Sequence, residues 1–432
     1  MDLTDALAYL DRHTNFERIV AGRKDAPTLD RMRRLCQVLG DPQHAYPVIH
    51  ITGTNGKGST ARMVTSVLAV HGLTVGTYTS PHVERINERI SRNGEPIDDG
   101  ELAAAIAAVA AVEPVIDVRP NYFEIVTAAA FGWFAEVAVD VAVVEVGMLG
   151  RWDATNVVDA SVAVVTNVGL DHTAFAGPTV LDVAREKAGI VKPGSTVVMG
   201  DTDPEVAAVF REAGGARTWE RDRDFGCERN VVAHGGRLVD IRTAAARYEE
   251  VLVPLHGAHQ GDNAAAAVTA VEAFFDRVLD RDVVAAGLAT VTAPGRFEVV
   301  RRQPLVILDS AHNPDGARAA AATLEEEFRA AASRVFVVGM LRGHDLTETL
   351  RALGVGDARL VVACAADWPK SVPAEEVAAT AADLGADTEV VLRVTDAVDL
   401  AVSAAFDDDL VFVTGSFYVV GEARSHLRAA PS

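Results

Sequence analysis

The run HITGTNGKGST at residues 50–60 constrains this chain more than any other segment. An apolar stretch, VIHIT (48–52), leads into Gly53, a loop follows, and a helical stretch runs from about Ser59 to His71. Strand, glycine-rich turn and helix in that order open a βαβ unit, which needs a parallel sheet flanked by helices. Glycines let loop amides point inward, Lys57 supplies a point charge, and a helix N-terminus favours an anion. The segment predicts a nucleotide-phosphate cradle made by Thr54, Asn55, Gly56, Lys57, Gly58, Ser59 and Thr60. A hydroxyl of Ser59 or Thr60 is placed to reach Mg²⁺. The loop is a shortened Walker variant, with Ile51 five positions before Gly56 and Gly58 directly after Lys57. A plain glycine-rich connector is the alternative, and the Gly-Lys-Gly-Ser-Thr run argues against it.

The strands that follow are continuous apolar runs: LTVGTYTS (73–80), DVAVVEVG (140–147), SVAVVTNVG (161–169) and STVVMG (195–200). Runs without alternation are expected of a parallel sheet covered on both faces. Residues 205–256 are more charged and predict a small β-rich excursion, after which a helix runs from His259 to about Phe275. A second series begins after TAPGRFEVVRRQP (292–304), with strands at 305–311, 334–340, 359–365, 388–394 and 409–416. The expected fold is α/β. A P-loop, doubly wound, mostly parallel domain over residues 1–293 is followed by a smaller Rossmann-like domain over 294–432. A length of 432 residues allows two or three domains at roughly 100–200 residues each. A cleft between domains is the natural ligand site.

The formal net charge of −21 argues against nucleic-acid binding, which needs a basic face. It also requires that an anionic ligand find a local positive site. Cys36, Cys227 and Cys364 are far apart and suggest neither a zinc site nor a disulfide framework, which fits a reducing cytoplasm. The opening MDLTDALAYLDRHTNFERIV lacks a signal-peptide core. No apolar run reaches the roughly 20 residues of a membrane span. The expectation is a cytoplasmic monomer with small-molecule partners.

TGTNGKGST resembles the P-loop of the Mur ligase superfamily, and its Gly58 form resembles the folate branch. Further segments resemble that branch in order: TSPHVERINERI (79–90), FEIVTAAAF (123–131), VVEVGMLGRWDATNVV (143–158), NVGLDHTAFAG (167–177), AREKAGIVKPG (184–194), HGAHQGDNAAAA (256–267), PGRFE (294–298), LDSAHNPDG (308–316) and TGSFYVVGEAR (414–424). Together they resemble the folylpolyglutamate synthase/dihydrofolate synthase family over nearly the whole chain.

The resemblance implies an ATP-dependent amide ligase with two Mg²⁺ ions. Ser80 and Glu145, each near the C-terminal end of an apolar strand where open α/β sheets bind ligands, would hold the metal between the β- and γ-phosphates, with Ser59. His172 would coordinate the second ion as neutral imidazole, oriented by Asp171. Lys187 would be carbamylated and bridge that ion; a plain surface lysine is the alternative. Asn263 would meet the adenine edge, or serve as a helix cap. Arg296, at the domain boundary, would reach phosphates on closure. Asp309 would hold the ribose hydroxyls, with a helix cap as the alternative, and His312 would contact nucleotide or transition state.

The implied acceptor is dihydropteroate, a folate, or both, with L-glutamate as the incoming amine. The bifunctional bacterial members of the family incline the expectation to both activities. Folylpolyglutamate synthesis alone and a Mur-type peptide ligase are the alternatives. The latter predicts a further N-terminal domain, and 47 residues precede the P-loop strand. A P-loop switch ATPase would need neither a second metal nor an amino-acid pocket. Two departures stand out. Leu149-Gly150 replaces the family's Gly-Gly, and in GMLRGHD (339–345) Gly343 and His344 replace the first two residues of Asp-Lys-Asp. His344 or Arg342 must then take over the lysine's role, or that role is lost.

Overall fold

Residues 1–18 and 28–429 are described by a computed structural model; Ile19 and Val20 of the opening run and the last three residues lie outside them. The apolar runs form strands β1 (Val48–Thr52), β2 (Val75–Tyr78), β3 (Ile90–Arg92), β4 (Glu95–Pro96), β5 (Val141–Glu145), β6 (Ala160–Val165), β7 (Thr196–Met199) and β8 (Arg217–Glu220). They make one sheet in the order β4-β3-β2-β5-β1-β6-β7-β8. From β2 to β8 across that order the neighbours are parallel, while β3 and β4 run antiparallel at the edge. Every residue of β1 and β5 is buried, because helices cover both faces.

On one face lie helices Asp99–Val112 and Tyr122–Glu136, packing Leu102, Ile106, Phe131 and Phe134 against Val144. Asn121 and Glu124 form a reciprocal cap that fixes where the second of these helices starts, a feature worth about 1 kcal/mol. On the other face, helices Lys57–Val70 and His259–Phe275 pack together. The buried Ala264–Ala267 run lets their backbones approach closely.

The β-rich excursion is smaller than expected. Residues 204–212 form a helix and β8 extends the main sheet. Only β9 (Gly226–Ala233), β10 (Gly236–Arg242) and β11 (Arg247–Val253) make the separate antiparallel sheet. The charged residues of 205–225 mask a helix and strand that are only partly buried.

The second sheet contains β12 (Glu298–Arg302), β13 (Leu305–Leu308), β14 (Arg334–Val338), β15 (Leu360–Ala365), β16 (Thr388–Arg393) and β17 (Leu410–Thr414), in the order β12-β13-β17-β14-β15-β16. All five expected strands are present and parallel. β12 falls within a segment read only as a connector; it is a half-exposed edge strand, antiparallel to β13.

Side-chain junctions at three places around the cleft join the two layers, among others. Trp368 Nε1–H donates to the Glu17 carbonyl at 3.2 Å and Lys370 Nζ to the Phe16 carbonyl at 2.9 Å. Arg237 of β10 pairs with Glu326 and Glu327, each at 3.0 Å. Arg424 pairs with Glu84 and, at 2.8 Å, with Glu298. Among the described residues no helix is long and apolar enough to cross a membrane.

Candidate active site

The P-loop takes its shape from glycines that no other residue could replace in place. Gly53 sits at φ +153, and a Cβ there would lie 1.8 Å from Thr166 Oγ1. Gly56, at φ +82, faces Asn263 Oδ1 at 2.6 Å from its would-be Cβ. The Thr54 and Asn55 amides donate to the Asn167 carbonyl and side-chain oxygen, each at 2.9 Å, which pins the loop to the β6 side. The helix starts at Lys57, two residues earlier than expected, so its first-turn amides, without intrahelical partners, face the loop. Lys57 Nζ crosses the loop to the carbonyls of Gly53 (3.0 Å) and Thr54 (3.2 Å). Thr60 Oγ1 is buried with no hydrogen-bond partner among the described residues.

Gly53→Ala should therefore distort the cradle without unfolding the sheet. Overpacking of this kind costs about 1–3 kcal/mol, so nucleotide affinity is expected to fall roughly 10- to 100-fold. Calorimetric titration with ADP checks this; parent-like affinity would mean the loop yields freely.

Glu145 ends β5, buried, and its Oε2 accepts the Ser80 amide at 3.1 Å. It also lies 3.5 Å from the would-be Cβ of Gly58, against the start of the P-loop helix. Burial pushes its carboxyl upward, with Lys57 opposing, and no ion pair reaches it among the described residues. A buried carboxylate short of positive charge suits a hard divalent cation. Ser59 is buried nearby on the same helix.

His172 takes a left-handed backbone (φ 50), and its Nε2 is 3.6 Å from Asp171 Oδ2. The ring keeps an open edge, 38% exposed. The atoms packed around it lower its pKa, Asp171 opposing, so it is neutral at pH 7. Lys187, last residue of helix Val180–Lys187, is 2% exposed. No hydrogen bond or ion pair holds its ammonium among the described residues. Burial, then Lys57, pulls its pKa down to about 7. The surface-lysine alternative therefore fails. Such an amine is partly neutral and nucleophilic toward CO₂, and a carbamate would turn it into an oxygen donor.

Leu149, where the family carries glycine, keeps a glycine-like backbone at φ 60, and its carbonyl accepts the Thr52 hydroxyl at 2.6 Å. Gly150 must remain glycine, since a Cβ there would meet the Lys187 carbonyl at 2.8 Å. Among the described residues no three His, Cys, Asp or Glu side chains converge as a metal cluster. The expected ligand set does not require one, because it mixes hydroxyl, carboxylate, imidazole and modified lysine.

The second sheet supplies the opposite wall. A cavity of about 310 Å³ is lined by Asn55, Gly56, Ser59, Asn263, Arg296, Asp309 and His312; Ser80, Glu145, His172 and Lys187 are not among its walls. Neither cap alternative survives. Asn263 lies inside helix His259–Phe275 and donates to Gln260 Oε1 at 3.0 Å. Asn313, not Asp309, caps helix Pro314–Glu327. Asp309 accepts the amides of Phe297 (3.1 Å) and Ala311 (3.0 Å), and burial raises its pKa against the pull of Arg296. Arg296 lies 4.6 Å over the Phe417 ring. His312 Nδ1 bonds the Ser310 carbonyl at 2.9 Å, leaving Nε2 without a partner among the described residues, and burial drives its pKa down to about 3. Asn313 Nδ2 donates across the cleft to Asn55 Oδ1 at 3.0 Å.

In GMLRGHD the two candidate side chains point to different places. His344 meets His312 edge to face at 5.1 Å, whereas Arg342 turns away to Glu376 at 3.2 Å. Asp345 caps the next helix. Sequence reasoning missed Asn167, His259 and Gln260, which also stand at the cavity, although all three lie in segments that carry the family resemblance.

The Mur ligase middle domain matches residues 51–271, and the Mur ligase glutamate ligase domain matches 295–417. The dihydrofolate synthase/folylpolyglutamate synthase of Mycobacterium tuberculosis is 38% identical over 92% of this chain and 90% of its own length. A solved Mycobacterium tuberculosis folylpolyglutamate synthase complexed with ADP superposes with a TM-score of 0.92 at 36% identity, covering 100% of this chain and 99% of that one. Escherichia coli FolC in complex with DHPP and ADP gives 0.87 at 30% identity, covering 99% and 98%.

Proposed function

The chain belongs to the dihydrofolate synthase/folylpolyglutamate synthase family of Mur-type ligases, and on that premise we propose that it joins L-glutamate to both dihydropteroate and reduced folates through an acyl phosphate. One observation carries this reading: the P-loop of one sheet and Arg296, Asp309 and His312 of the other line a single cavity.

In this reading ATP lies with its phosphates on residues 54–60, its ribose at Asp309 and its adenine near Asn263. The acceptor carboxylate attacks the γ-phosphate, giving an acyl phosphate and ADP. The α-amine of glutamate then attacks the acyl carbon, loses a proton, and phosphate leaves. Bound Mg²⁺ would supply the positive charge that lets two anions meet. Ser59, Ser80 and Glu145 would hold one ion, and His172 with carbamylated Lys187 the other. Lys57 and Arg296 neutralise the transferring phosphoryl group, and the free Nε2 of His312 reaches it from the second sheet. These local charges answer the chain's net charge of −21. We further assign residues 1–293 and 294–432 to two domains, the protein to the cytoplasm as a monomer, and no role in nucleic-acid binding.

Dihydropteroate and tetrahydrofolate offered together with ATP, Mg²⁺ and glutamate decide the matter by mass spectrometry of the products. Both glutamylated products are expected. Product from tetrahydrofolate alone reduces the activity to chain extension. ATP hydrolysis indifferent to glutamate and both acceptors would sink the ligase reading.

A further inference from the structure

The helix that follows the P-loop has a second face, and that face borders a larger cavity. About 1190 Å³ opens between this helix, the β3–β4 hairpin, residues 290–294 and the helix Phe417–Ala429. None of its walls is shared with the nucleotide cavity. The volume exceeds that of ordinary small-molecule pockets.

Two polar side chains on its walls have no protein partner among the described residues. Arg62, one and a half turns beyond Lys57, is partly buried and makes no hydrogen bond or ion pair among the described residues. Ser91 of β3 is 8% exposed, and its hydroxyl also has no partner there. Four of the five neighbouring carboxylates are already committed. Glu84 pairs with Arg424 and Asp99 with Arg85. Asp98 caps helix Asp99–Val112. Glu88 accepts the amides of Val83, Glu84 and Arg85 at 2.8, 3.1 and 3.0 Å. What is left over is Arg62, the Ser91 hydroxyl and, exposed on β4 at the rim, Glu95. Burial lowers the Arg62 pKa, and Glu88 and Glu145 oppose that only through space. A half-buried arginine without an ion pair bears part of the desolvation cost uncompensated, and its planar fork matches an oxyanion in two-point contact.

We propose that this cavity is a second ligand site, taking a small oxyanion, phosphate or carboxylate, on Arg62 and Ser91. Its walls come from both sheets' layers and from the segment that joins them. A bound anion would therefore bridge the two halves, at walls distinct from those of the nucleotide cavity. The assignment does not depend on the ligase reading, because it is tested with the nucleotide site filled.

The experiment is calorimetric titration of the full chain, saturated with a non-hydrolysable ATP analogue, with inorganic phosphate and separately with succinate. One further site is expected for at least one of them, and the tighter anion identifies the headgroup. Arg62→Met is expected to weaken that binding about tenfold or more, and Ser91→Ala severalfold. Arg62→Lys, which keeps the charge and loses the fork, should fall between parent and methionine variant and covers the case that Arg62→Met folds poorly. Absence of binding by both anions at millimolar concentration overturns the proposal, as does parent-like affinity in folded Arg62→Met and Ser91→Ala.

Discussion

Lys187→Ala is expected to lower turnover by about 10²–10³-fold, the scale of losing one preorganised electrostatic group, while ADP affinity stays within a few-fold of the parent. The two effects separate because Lys187 lies outside the walls of the nucleotide cavity. The side chain is buried and has no partner among the described residues, and burial brings its pKa to about 7, so in its unmodified form it is a liability to the fold. Alanine should leave thermal stability unchanged or raise it. A purely structural lysine would behave in the opposite way, losing stability and activity together. Small carboxylates such as acetate should partly restore the rate by supplying the missing oxygen donor. Lys187→Arg, which keeps a cation but cannot form the carbamate, should be as slow as alanine. Parent-like turnover in Lys187→Ala would remove the carbamate from the mechanism.

Arg89→Met is expected to destabilise the chain by about 3–5 kcal/mol, because it strips one partner from a buried ion pair. The Arg89 side chain is 0% exposed and forks onto both oxygens of Glu17 at 2.9 and 2.8 Å. Its Nε–H donates to His82 Nδ1 at 2.9 Å. Burial alone would raise the Glu17 carboxyl; Arg89 outweighs it and holds the pKa below the ordinary value. A depressed folded-state pKa gives stability that is present above the unfolded value, near 4.3, and is lost as pH falls through the folded one. The difference between parent and Arg89→Met should accordingly be full at pH 7 and shrink below about pH 4. Denaturant unfolding at both pH values measures it. A difference under about 1 kcal/mol at pH 7 would mean that Glu17 finds water instead. Proteolysis near residues 14–18 should also become easier in the variant, since Glu17 anchors that segment.

The fold was readable where the chemistry is local and the apolar runs are continuous. β1, β5 and β6 declare themselves because helices bury them from both sides. β8 and β12 do not, because each is an edge strand with charged or half-exposed positions. The P-loop was readable for a similar reason, since one segment contains its strand, its glycines and its lysine. Lys187 was not. Its helix looks like any amphipathic helix, and its burial comes from Gly150 packing on its backbone and from neighbours far away in sequence. His344 was visible only as a departure from pattern; its contact with His312 depends on the packing of two loops within the second sheet's layer. Arg62 gave no signal at all, because the next residue on a helix after a P-loop can face either way.

The junctions between the two layers have a mechanical consequence. A rigid body tied to another at two separate points retains one rotation, about the line through them; a third tie off that line removes it. Here Trp368 and Lys370 hold the chain's opening segment, Arg237 holds helix Pro314–Glu327, and Arg424 holds Glu84. To open the cleft, the second layer must therefore release the Asn313–Asn55 bond that crosses it, together with at least one of these ties, and swing on those that remain. The choice of tie fixes the axis, and the axis fixes which wall of the cleft is uncovered first.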